Sequence, residues 1–129
     1  MQYLYQFANA SLTLRLVEYL TTCSYLPKSV VTVISQVDGW IVKITMPSSL
    51  HPQQDKNMRA FLNELGVVYL PSELVNLVLT GLETGYSVVD VMRRYQVAVV
   101  SHGVPQRDEI EAFRQHFING LGYCPQNLA

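Results

Sequence analysis

Charge is scarce in this chain. Only 15% of its 129 residues are Asp, Glu, Lys or Arg, against about 25% in typical soluble domains. Nine basic and ten acidic side chains leave a net charge of −1, which excludes a protein held mainly by nonspecific phosphate contacts. Cysteine is equally sparse. Cys23 and Cys124 form no C-x-x-C pair, so neither a zinc knuckle nor a redox motif is outlined, and both read as free cytosolic thiols. Seven Gly and six Pro give no collagen or linker signature. The first positive side chain, Arg15, lies inside an apolar stretch, the reverse of a secretory leader. No run reaches the roughly 18 apolar residues of a membrane helix; segment 74–82 is interrupted by Asn76, Thr80 and Gly81. G-x-S-x-G, Walker and G-x-G-x-x-G patterns are missing. The chain therefore reads as soluble, cytoplasmic and non-enzymatic, with no catalytic residue, no metal ligand set and no cofactor assigned.

What is present is apolar residue, at 49%. That is too much for disorder and suits one domain spanning 1–129. Tyr3, Tyr5 and Phe7 alternate as in a strand. From Ser11, a capping residue, Leu12, Leu16, Val17 and Leu20 take helical spacing. Residues 30–34 are β-branched and stiff. With Asp38-Gly39 as turn and 41–46 as return strand, they predict a β-hairpin near 29–46. Met58, Phe61, Leu62 and Leu65 predict a helix over 55–65, ended by Gly66. Residues 67–71 follow as a short strand or connector. Ser72 and Ser87 each cap a helix, and 96–101 reads as a buried strand. Pro105 opens the last helix, with Ile110, Phe113 and Phe117 inward and Asn119-Gly120 at its end. The tail reads as loop. The fold class is α+β: a small mixed or antiparallel sheet with packed helices.

An internal duplication is also suggested. Tyr25-Leu26-Pro27 recurs as Tyr69-Leu70-Pro71, and Pro52-Gln53-Gln54-Asp55 as Pro105-Gln106-Arg107-Asp108. A helix containing Ala-Phe follows each Pro-Gln-x-Asp. The match conflicts with itself at one point, since 30–37 reads as strand while its counterpart 72–83 reads as helix.

His51 and His102 precede the two Pro-Gln-x-Asp segments. They suggest either a paired small-ligand or metal site, or ordinary helix N-terminal chemistry. His116, between Phe113 and Phe117, reads as a partly buried structural residue. In 87–101, Ser87, Val91, Arg93, Arg94, Tyr95 and Val97 form a pattern that resembles one half of a helix-turn-helix. The resemblance implies a DNA-binding regulator that contacts nucleic acid through Arg93 and Arg94. The recognition helix, however, would be stopped by His102-Gly103-Val104-Pro105.

Tyrosines suit surfaces wet at one end and apolar at the other, and interfaces are enriched in aromatics and poor in Lys and Glu. Residues 1–54 hold only five of the nineteen charged side chains. The reading is a regulatory or assembly module acting through protein–protein contacts. Its partner is itself, as a homodimer, or another protein. Tyr3, Tyr5, Phe7, Tyr25, Trp40 and Tyr69 are the expected interface.

Overall fold

The computed structural model describes residues 1–23, 26 and 28–129. The chain begins with strand β1, Gln2–Phe7, followed by helix α1, Ala10–Thr22. Asn9, not Ser11, caps α1 by accepting from the Leu12 amide at 3.1 Å. Strands β2, Val30–Gln36, and β3, Gly39–Thr45, form the hairpin. Its turn is Val37-Asp38, one residue earlier than expected, because Gly39 already pairs with Gln36. Gly39 has φ +154°, and a Cβ there would meet the Phe7 carbonyl at 2.8 Å.

Helix α2 runs Pro52–Leu65 and leads directly into β4, Gly66–Val68. It starts before Asp55 because His51 and Gln54 close a capping box and Pro52 fits the first turn. Helix α3, Glu73–Glu83, and α4, Val88–Tyr95, are capped by Ser72 and Ser87 through the amides of Val75 and Asp90. Strand β5, Ala98–Gly103, and helix α5, Arg107–Leu121, follow. Helix α5 runs past Asn119-Gly120, and Gly122 takes the left-handed cap at φ +77°. Among the described residues, no helix is long and apolar enough to cross a membrane.

The sheet order is β4-β1-β3-β2-β5, and all neighbours are antiparallel. The succession β1-α1-β2-β3-α2-β4, with order 4-1-3-2, is the ferredoxin-like, or split β-α-β, topology. Segment α3-α4-β5 adds the fifth strand beside β2, and α5 follows. A topology carries no activity with it. The suggested duplication is not matched by repeated structure: the hairpin of the first half corresponds to two helices and a strand in the second.

Two cores result, one on each sheet face. Tyr3, Tyr5, Phe7, Val31, Val33, Trp40, Val42 and Ile44 meet α1, α2 and α5. Ile34, Ile41 and Val99 meet α3 and α4 through Val75, Val78, Leu82 and Val91. Burial of both faces explains why 31–34 and 39–42 are continuously buried rather than alternating.

The tail beyond α5 is a strap, not a free loop. Its carbonyls accept from the Trp40 indole at Asn127, 2.6 Å, and from Arg114 at Leu128, 2.6 Å. Asn127 donates to the Gln36 carbonyl at 3.3 Å, and the Leu128 side chain is buried. Leu128→Ala should therefore lower unfolding stability by about 2 kcal/mol or more, read by urea denaturation. Gly66→Ala should cost about 1–3 kcal/mol in the same assay. A Cβ there would lie 2.2 Å from the Gln6 carbonyl oxygen, so β4 would have to leave β1.

Candidate functional site

Four of the six aromatics expected at an interface are core. Tyr3, Tyr5, Phe7 and Trp40 are at most 3% exposed. Alternation along β1 pointed them to one side correctly, but α1 and α2 cover that side. Their polar tips are spent inside the fold. Tyr3 donates its hydroxyl to Asp55, whose carboxylate also accepts from Arg59 at 3.2 Å, and the Tyr5 hydroxyl donates to Asn63 at 2.9 Å. Burial, then the Asp55 hydrogen bond, pushes the Tyr3 phenol well above its ordinary range. The same hydrogen bond holds Asp55 below the usual carboxylate range. Tyr69 is half-buried in the β4–α3 connection, where its hydroxyl oxygen accepts from the Ser72 amide at 3.5 Å. Tyr25 lies outside the described residues.

Arg93 and Arg94 are exposed on α4, and Arg94 stacks over the Tyr86 ring at 5.5 Å. After α4 the chain turns through Gln96, at φ +53°, straight into β5. No recognition helix follows, so a helix-turn-helix is not built over 87–101. His116 is exposed, not partly buried. His51 and His102 are not brought together. His51 is the exposed cap of α2, on the face that carries α1 and α2. His102 lines a cleft beneath α3, on the other face. Among the described residues, no group of three His, Cys, Asp or Glu is placed to hold a metal.

Most exposed apolar surface lies in the second half of the chain. Among the described residues, Val30 and Val37 are the large hydrophobic side chains before residue 55 that face water. Val67, Val68 and Leu70, on and just after β4, are 61–86% exposed. Strand β4 pairs with β1 along one edge, and the ladder continues as the Tyr69 amide donates to the Leu4 carbonyl at 3.0 Å. Among the described residues, nothing pairs with its other edge in the sheet order.

The second feature is the cleft of about 250 Å³ on the α3 face. Strand register creates it. Lys43 on β3 pairs with Thr32 on β2, and Thr32 with His102 on β5, so three polar side chains stand in one row across the sheet. Gln2, Thr45 and Val30 form the adjoining row. Thr32 Oγ1 lies 2.7 Å from His102 Nδ1. Lys43 is 11% exposed in its side chain and pairs with Glu83, the last residue of α3. Burial lowers the Lys43 pKa. Burial, with the Lys43 charge beside it, lowers that of His102. No local motif could reveal residues 32, 43 and 102 as neighbours; the only sequence signal was the set of polar interruptions in otherwise apolar strands.

No family model, curated protein or solved structure matches the chain.

The His102 shift has a defined sign. Its folded pKa is below 6.5, so the unfolded chain binds the proton more readily. Folding stability therefore falls as pH drops below neutral through the ordinary histidine range, and levels off below the folded pKa. Asp55 acts in a lower window, losing its contribution only as pH falls through its depressed carboxyl pKa. Thermal melts between pH 7 and 5 should show the first loss in the native chain and a flatter profile in His102→Gln.

Proposed function

We propose that this chain is a non-enzymatic assembly module that acts through protein–protein contacts and pairs with a second copy of itself along the β4 edge. The observation that carries the reading is that edge. Residues 66–70, Gly-Val-Val-Tyr-Leu, contain no charge and no proline, the usual devices that keep an edge strand from pairing. Val67, Val68 and Leu70 are exposed around it. The opposite edge is blunted: β5 has a register shift opposite Val33 and Ile34 and ends at Gly103, at φ +145°. Antiparallel pairing of two β4 strands about a twofold axis is self-complementary. It would satisfy the free backbone groups and cover the same valines on both copies. The free state of Cys23 and Cys124 agrees with a cytoplasmic setting.

Light scattering at micromolar concentration should give twice the 14.6 kDa chain mass. Val67→Lys should return the mass to that of one chain while the far-ultraviolet circular dichroism stays unchanged, because a lysine at the edge opposes pairing. A native chain that is monomeric and captures no stable partner would overturn the proposal.

A further inference from the structure

We propose that the cleft under α3 binds a small carboxylate carrying a short apolar tail. Lys43 is the anchor. Its side chain is only 11% exposed, yet its partner Glu83 comes from the end of a helix and is 48% exposed. Glu83 thus marks where a carboxylate sits on Lys43, and it can swing into water without stranding a buried charge of its own. A free carboxylate that takes its place leaves the charge balance at Lys43 unchanged, which matters because an unpaired buried ammonium is costly. The Thr32 hydroxyl and the His102 imidazole stand in the same cross-strand row and bond each other, which leaves one proton, on Thr32 Oγ1 or on His102 Nε2, to donate to the incoming head group.

The remaining walls select the tail. Leu79 and Leu82 of α3 face the cleft, and Val30, 44% exposed, closes the rim. A dianion fits poorly, since among the described residues Lys43 is the one Lys or Arg lining the cleft and Glu83 stays nearby. A metal ion fits poorly as well, since the Lys43 ammonium stands among the lining residues and, of those described, one carboxylate and one imidazole are the strong metal ligands. The site shares no residue with the β4 edge, so it is independent of self-association.

Titration with hexanoate, followed by amide chemical shifts in nitrogen–proton correlation spectra, tests the proposal. Saturable shifts should appear at Thr32, Lys43 and His102 and their neighbours. Glu83→Gln removes the internal competitor and should tighten hexanoate binding by up to about fivefold, the worth of a half-exposed ion pair. Lys43→Met should abolish binding, and hexanol, with the same tail and no charge, should not bind at these residues. The proposal is overturned if hexanoate fails to saturate both the native chain and Glu83→Gln, if hexanol shifts the same amides, or if folded Lys43→Met still binds. If Lys43→Met does not fold, the Glu83→Gln comparison decides: tightening supports the site and unchanged affinity rejects it.

Discussion

Strand β3 is paired along both edges and buried on both faces, and much of the remaining chain serves that double burial. Its backbone groups are satisfied by β1 and β2. Its side chains then face two separate cores, with Trp40, Val42 and Ile44 on one side and Ile41 on the other. A strand in this position needs apolar residues at successive positions, and its neighbours need the same over part of their length. This accounts for the low charge of the first half: residues 1–54 supply the three inner strands, β1, β3 and β2, whose core-facing positions take apolar side chains.

Two coverings protect the central strands. On the first face, α1, α2 and α5 close over the aromatics, and the C-terminal strap seals the end by hydrogen-bonding Trp40 and seating Leu128. On the second face, α3 and α4 cover only part of the sheet. Where that cover ends, the strands carry Lys43, Thr32 and His102 in place of valine and isoleucine. The polar row is thus the boundary of the second core. Its depth comes from the sheet beneath and the leucines of α3 beside it, which is why the Lys43 side chain is largely buried while it meets Glu83.

Much of the fold was legible in the residues. The 30–45 hairpin, the serine caps of α3 and α4, and the period-three-and-four stripe of α2 all lie within a few positions of one another, where propensity and capping act. The departures also have local causes. Asn9 outcompeted Ser11 because its side chain reached the Leu12 amide, and His51 with Gln54 drew the start of α2 back to Pro52. The candidate site was much less legible. Tyr3, Tyr5 and Trp40 carry composition typical of an interface, yet the same composition suits a strand–helix seam in which hydroxyls and the indole find polar partners on other elements. His102 was noticed for its place before Val104-Pro105, but its actual neighbours are residues 32 and 43.

Periodicity, capping chemistry and turn residues were therefore enough to determine an α+β domain with a central hairpin and five helices' worth of amphipathic segments. Only the tertiary structure decided which faces met, which strand edge stayed open and which polar side chains shared a row. The physical reason is register: strand pairing joins residues separated by tens of positions. A shift of one residue would have turned Lys43, Thr32 and His102 to the opposite face.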